Sequence, residues 1–283
     1  MNYTDITLEI DDPVAILRLN RPERLNAFTY HTLAEIRSAI DVAAADARVV
    51  GIVITGNGRG FSAGLDAAVL AEVTGRDAPP TNTAPDSDAL PGLFSYLLEV
   101  PKPIIAAING VTAGGGLILA LMSDLRFASE TASVTTVFLK RGLIAEHGST
   151  WILPRLVGVS RALDLLWMSD RIDASEARAL GLVDRVLAPE ALLPAACDYI
   201  RRLAATSPPA AIAETKRLTY RHLGADYRTA LREAEIAQNR FVTAPDAIEG
   251  ARSFLEKRAP RFARLGADPT ASGSPASRDA RAD

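Results

Sequence analysis

Apolar residues in this chain change their period several times, and each change predicts an element. Residues 5–10 and 14–19 alternate apolar and polar positions around Asp11-Asp12-Pro13, the pattern of an antiparallel hairpin. From about Tyr30 to Ala45, residues Leu33, Ile36, Ile40 and Ala44 recur at helical spacing, which predicts a helix with these four on its inner face. Val49-Val-Gly-Ile-Val-Ile-Thr55 and Ile104 to Ile108 are apolar on both faces, as strands covered on both sides of a parallel sheet must be. Each precedes a predicted helix, so the order argues for βα units. Residues 75–92 carry Gly, Pro, Asp and Thr and are expected to form a mobile loop. Asp173, three residues before Glu176, suits a helix start, and Gly181 a helix stop. Beyond about residue 190 the pattern is almost all helical, and the small, polar stretch Ala267 to Asp283 is expected to be disordered. These readings divide the chain into an α/β core (1–190), a helical C-terminal region (191–266) and a tail (267–283).

Composition narrows the function classes. The 283 residues are 48% hydrophobic and 23% charged, enough for one large core. A net charge of −3 offers no basic surface for nucleic acid. One cysteine, Cys197, excludes an internal disulfide and suits a reducing cytoplasm. The first residues carry an early acid and no apolar signal region, so a cytoplasmic location is expected. Residues 103–123 contain no formal charge, which raises the question of a membrane span. Asn109-Gly110, Thr112 and Gly114 to Gly116 interrupt that run, and a buried strand–turn–helix is the expectation. His31, His147, His222 and Cys197 show no metal-ligand spacing, so no metal is expected.

The chemistry begins with Gly114-Gly-Gly116. The triplet follows a strand and an Asn109-Gly110 turn, and Leu117, Ala120 and Leu121 then recur at helical spacing. Unpaired N–H groups and the positive end of the helix dipole meet at such a junction. Glycine leaves those N–H groups open to an anion or a polarised carbonyl oxygen; close helix–strand packing would also call for it. A second junction of the same kind lies about fifty residues earlier, where Gly56-Asn-Gly-Arg-Gly60 leads into Phe61-Ser-Ala-Gly-Leu-Asp66. Two such turns, each giving one N–H to a single oxygen, would form an oxyanion hole.

Together these segments resemble the crotonase superfamily, the enoyl-CoA hydratase/isomerase family. Phe61 to Asp66 is similar to its first signature, and Pro103-Ile-Ile-Ala-Ala-Ile-Asn-Gly110 with the glycine triplet and Ser123-Asp124 to its second. The likeness continues through Arg21-Pro-Glu-Arg-Leu-Asn-Ala27, Leu153 to Gly158, Ala174 to Val183 and Glu249 to Arg258, from residue 5 to about residue 262. The resemblance implies a crotonase-like (ClpP/crotonase) α/β fold of repeated ββα turns with a helical C-terminal region that forms trimers and closes over coenzyme A. It further implies a homotrimer or dimer of trimers acting on an acyl-CoA thioester, with no cofactor beyond the coenzyme A of the substrate. The thioester oxygen would rest between the N–H groups of Leu65 and Gly115, stabilising an enolate.

Coenzyme A contacts carried over from the family fall on Arg24, Leu25 and Ala27, on Ala63 and Asp66, and on Phe254 and Lys257. Asp66 equally suits a helix cap, Arg24 and Lys257 a solvated surface, and Phe254 ordinary core. Hydratases of the family hold a water between two glutamates, and here Ile118 and Phe138 occupy those positions. Neither moves a proton. Glu146, in the turn before Leu153-Pro154, matches instead the acid used by enoyl-CoA and dienoyl-CoA isomerases of the family. A single carboxylate suffices to move a proton from C2 to C4, with Ile118, Phe138 and Trp151 lining an apolar acyl pocket that excludes water. A helix-dipole role in the first turn is the plainer reading of Glu146. His147 could orient Glu146 or serve as a second acid/base, but neighbouring residues on a helix or turn face apart, so no direct catalysis is expected of it. Double-bond isomerisation is thus the first reading. Hydration through Glu146 and other crotonase-type chemistry are the alternatives, and a non-catalytic acyl-CoA-binding protein is the contrasting class.

Overall fold

The computed structural model describes residues 2–73, 90 and 92–266. The expected loop at 75–92 lies outside the described residues except for Leu90 and Gly92, and the expected disordered tail lies outside them entirely. Ten strands are described: β1 (Ile6–Asp11), β2 (Val14–Leu19), β3 (Gly51–Gly56), β4 (Gly60–Ser62), β5 (Ile104–Ile108), β6 (Val111–Ala113), β7 (Leu125–Ser129), β8 (Ser133–Thr135), β9 (Ile172–Asp173) and β10 (Arg185–Leu187). The helices are α1 (Tyr30–Ala45), α2 (Ala67–Val73), α3 (Gly115–Leu121), α4 (Ser149–Val157), α5 (Val159–Met168), α6 (Ala174–Leu180), α7 (Pro189–Thr206), α8 (Pro209–His222), α9 (Tyr227–Phe241) and α10 (Pro245–Leu255).

The chain coils so that each turn adds one strand to each of two sheets. The larger sheet has the order β1-β2-β3-β5-β7-β10 and the smaller β4-β6-β8-β9. Thus β3 and β4, β5 and β6, and β7 and β8 are consecutive pairs split between the sheets. Within the larger sheet only β1 and β2 pair antiparallel, as the hairpin pattern predicts; Ile52 then faces Ile104 and Ile105 faces Leu125 in parallel register. The continuous apolar runs of β3 and β5 follow from burial on both faces. Ile52, Ile54, Ile104 and Ala106 enter the main core. Val53, Ile105 and Ala107 enter a second cluster beneath Leu192, Ala196, Cys197 and Ile200 of α7. The 1–190/191–266 division therefore falls inside a helix that belongs to the packing of the large sheet.

Helix α1 spans the predicted residues, but its inner face is rotated. Thr32, Glu35, Ile36, Ala39, Ile40 and Ala43 are buried, while Leu33 and Ala44 flank them half-buried. Two polar residues go inside because they have backbone work there. The Glu35 carboxylate accepts the N–H groups of Thr4 and Asp5, each at 2.8 Å, and Thr32 closes a capping box with Thr29. Asp173 accepts the Glu176 N–H at 2.8 Å as N-cap of α6, and Gly181 ends that helix at φ 83°.

Helix α8 is moored by one half-buried carboxylate. Asp124, between α3 and β7, accepts the Ile104 N–H (2.7 Å), the Lys216 ammonium (2.8 Å) and the Tyr220 hydroxyl (2.9 Å). Lys216 also donates to the carbonyls of Leu97 and Lys102. Burial lowers the Lys216 pKa against the pull of Asp124, and burial with the Asp124 charge raises that of Tyr220. No helix among the described residues is long and apolar enough to cross a membrane.

Candidate active site

Each glycine of the triplet answers a different demand. Gly114, the N-cap of α3, has φ 48° and ψ −119°, a backbone state that side chains other than glycine's hydrogen resist. Gly116 is pressed against β4: a methyl group built on it would stand 2.3 Å from the Ser62 carbonyl oxygen. Gly115 has room for a methyl, whose nearest neighbours would be Gly64 Cα at 3.5 Å, the Phe28 ring at 3.6 Å and the Leu65 nitrogen at 3.7 Å. Packing and N–H exposure are therefore both present, on different glycines.

The first turn meets the second here. Gly64 has φ 88°, and a methyl on it would lie 2.8 Å from the Ala113 oxygen and 2.9 Å from the Gly115 nitrogen. Phe28, fully buried, pairs with Leu65 as an isolated bridge: its N–H donates to the Gly64 carbonyl, and its own carbonyl accepts from the Asp66 N–H. Among the described residues the N–H groups of Leu65 and Gly115 meet no acceptor.

Polar side chains hold the first turn. Ser62 Oγ donates to the Asn26 carbonyl at 2.8 Å and accepts the Gly64 N–H at 3.1 Å. Asn26 is buried in the left-handed conformation at φ 55°, and its amide donates to the carbonyls of Asn57 and Gly60. Arg21 reaches the Ala27 carbonyl and the Asp66 carboxylate, and Asp66 Oδ1 accepts the Ala68 N–H at the start of α2. The helix-cap reading of Asp66 is what the structure shows. Arg21, Asn26 and Ser62 carry no periodic signature of their own, although Asn is among the non-glycine residues best suited to a left-handed turn.

Leu65, Gly115, Phe138 and Glu146 line one narrow cavity of about 20 Å³, together with Arg141 and His147. Glu146 and His147 precede α4, and Ser149 fixes the turn by donating its N–H (3.0 Å) and hydroxyl (2.7 Å) to the Glu146 carbonyl. The expectation that His147 points away from Glu146 fails. His147 takes φ 52°, which turns its ring back, and Nε2 stands 3.4 Å from Glu146 Oε2. Burial holds the His147 pKa below the usual imidazole value, with the Glu146 charge opposing.

Ile118 is not at this cavity: it is fully buried in α3 within the main core. Trp151 lines a second, larger cavity of about 790 Å³ with Leu90, Leu98, Met122, Gly148 and Tyr220, and the Arg155 guanidinium covers its ring at 4.3 Å. Ala27 is buried and Leu25 half-buried beside the first turn, with the Ala63 N–H donating to the Leu25 carbonyl; Arg24 is exposed. Phe254, 82% exposed, and Lys257, also exposed, stand at the end of α10 and line neither cavity. Among the described residues no group of three or more His, Cys, Asp or Glu side chains is placed to hold a metal ion.

The profile of the enoyl-CoA hydratase/isomerase family matches residues 9–264. This chain belongs to that family. As a family member of the crotonase superfamily it is 35% identical over 273 residues to the 1,2-epoxyphenylacetyl-CoA isomerase of Escherichia coli K12, covering 91% of this chain and 97% of the relative. It is 34% identical to the crotonyl-CoA hydratase of Syntrophomonas wolfei, over 93% of this chain and 99% of that protein. The crystal structure of an enoyl-CoA hydratase from Bacillus anthracis superposes with a TM-score of 0.82 at 29% identity, covering 93% of this chain and 100% of that one. The crotonase fold, an enzyme of the enoyl-CoA hydratase/isomerase family and a place for acyl-CoA thioesters follow directly.

Proposed function

We propose that this protein shifts the double bond of an enoyl-CoA thioester, with Glu146 as the proton shuttle and the Leu65 and Gly115 N–H groups as oxyanion donors. The observation that carries the reading is one cavity lined by Leu65, Gly115 and Glu146, the first two with backbone N–H groups that meet no acceptor among the described residues. The Glu146 carboxylate takes a proton from C2 of a 3-enoyl thioester. The electron pair moves onto the thioester oxygen, which the two N–H groups stabilise by about 3–4 kcal/mol per donor. The same carboxyl returns the proton at C4, leaving the double bond between C2 and C3 with no atom gained or lost. Phe138 supplies an apolar wall. The larger cavity beside Trp151 takes the acyl chain. A relative that is itself named an acyl-CoA isomerase is in keeping with this chemistry.

On the same reading, Arg24, Leu25, Ala27, Ala63 and Asp66 flank coenzyme A beside the first turn. Phe254 and Lys257 act from a neighbouring copy in a homotrimer or dimer of trimers. The exposed Tyr227, Ile236, Val242, Ile248 and Phe254 of the last helices suit such burial. The reaction as written needs no cofactor beyond the substrate's coenzyme A.

Hydration is the second reading. Glu146 keeps 32% of its side-chain surface exposed, enough to hold a water, and one relative is named a crotonyl-CoA hydratase. Incubation with trans-2- and trans-3-enoyl-CoA in heavy water separates the two. Isomerisation gives deuterium uptake and a moved double bond without added mass of water; a product heavier by one water supports hydration. Glu146→Gln should lower the exchange rate by about 10²–10⁴-fold while acyl-CoA binding persists. Unchanged turnover would remove Glu146 from the mechanism.

A further inference from the structure

We infer that His147 is a positioning residue for Glu146, its imidazole fixing the carboxylate against the cavity that presents the Leu65 and Gly115 N–H groups. This rests on the reading of Glu146 as the proton shuttle. Neighbouring side chains normally diverge, and bringing two onto one cavity requires an unusual backbone. His147 has it, at φ 52°, followed by Gly148 at φ 80°. A non-glycine residue in that region stores strain that the surrounding structure must enforce, and such strain gathers at functional sites. The enforcement is visible. Ser149 locks the Glu146 carbonyl twice, and Gly92 lies within ordinary packing distance on the other side, where a methyl would stand 3.5 Å from His147 Cα.

The result is a contact of 3.4 Å between Nε2 and Oε2, with His147 only 25% exposed. The charged groups at this cavity are Glu146, His147 and Arg141, and Arg141 forms no ion pair among the described residues. Burial disfavours the imidazolium, and the Glu146 charge opposes that shift. A ring packed this close limits the rotation of the carboxylate, and an uncharged ring does so without adding a positive charge that would weaken it as a base. Protonation of His147 on acidification supplies that charge, and the rate then falls.

Proton exchange into trans-3-enoyl-CoA, followed in heavy water across pH for the full-length wild type, Glu146→Gln and His147→Gly, tests this. Glycine adopts φ 52° without strain, so the turn is kept. His147→Gly should lower kcat about tenfold, the lower end of what an orienting partner is worth. KM should stay within about twofold, as expected when ground-state binding is untouched. The acid limb should change shape, and added imidazole should restore part of the rate. His147→Asn, which also tolerates a left-handed backbone, should lose kcat in the same way, guarding against a loosened turn. Wild-type kcat and pH profile in both variants, with Glu146→Gln inactive, would overturn the role of His147 alone. A fall in Tm with kcat intact would do the same. Wild-type exchange in Glu146→Gln would overturn the shuttle and this inference together.

Discussion

The turn at Gly64 and Leu65 and the turn at Gly114 and Gly115 both end a short strand, begin a helix and leave one N–H open, yet they are built differently. The second is held by contact. Gly116 lies on the backbone of β4, every residue of α3 is buried, and no side chain caps that helix. The first is held by polar side chains: Ser62 on Gly64, Asn26 on the neighbouring loop, and Arg21 with Asp66 at the start of α2. A turn fixed by close packing resists displacement but tolerates no added atom at the point of contact, here Gly116 and not Gly115. A turn fixed by hydrogen bonds tolerates change in proportion to how exposed those bonds are.

Substitutions at the two turns sharpen this contrast. Gly115→Pro deletes one donor at the first position of a helix, where proline is otherwise accepted. Deuterium exchange should fall by about 10²–10³-fold with a near-native circular dichroism spectrum. Gly115→Ala, which keeps the N–H and meets only ordinary contacts, is the control. Retained exchange in a folded proline variant would reject the oxyanion assignment. Gly116→Ala should cost about 1–3 kcal/mol by overpacking, read as a lower midpoint in urea unfolding, because backbone rather than a flexible side chain lies in the way. Ser62→Ala should cost about 1–3 kcal/mol, since it strands the buried Gly64 N–H. An equally stable Ser62→Ala protein would mean that contact holds the first turn too. Arg21→Ala should be the mildest for stability, about 1 kcal/mol, since its ion pair with Asp66 is long and its main loss is the donor to the Ala27 carbonyl.

The pieces legible in the sequence are those whose partners are close along the chain. Period changes placed the β1–β2 hairpin, α1, β5 and the glycine junctions, because a strand or helix writes its own repeat locally. The buried face of α1 was less legible, since Glu35 is drawn inward by the backbone of Thr4 and Asp5, about thirty residues away. Arg21 with Asp66, and Asp124 with Lys216 and Tyr220, join residues separated by 45, 92 and 96 positions, and no local pattern announces them. At the candidate site, Leu65, Gly115, Phe138 and Glu146 were readable through the family likeness, and the structure sets them at one cavity. Ile118 was misplaced because position within a motif does not say which way a helix turns. The side-chain direction of His147 was not legible because the rule for neighbouring residues assumes right-handed backbone, and here φ is positive.

The coil that splits consecutive strands between two sheets also separates what must stay fixed from what can vary. Gly64 rests on Ala113, and Gly116 on Ser62, so the spacing of the two turns is set by contacts inside one coil step. The registers that join β3 to β5 and β4 to β6 resume only at Ile104 and Val111. The segment before β5 is tied to the first turn as well, since the buried Phe94 ring meets Phe28 at 5.5 Å and Phe28 bridges Leu65. A scaffold of this kind spaces the two turns by contacts of its own, so that residues lining the cavities can change without moving them.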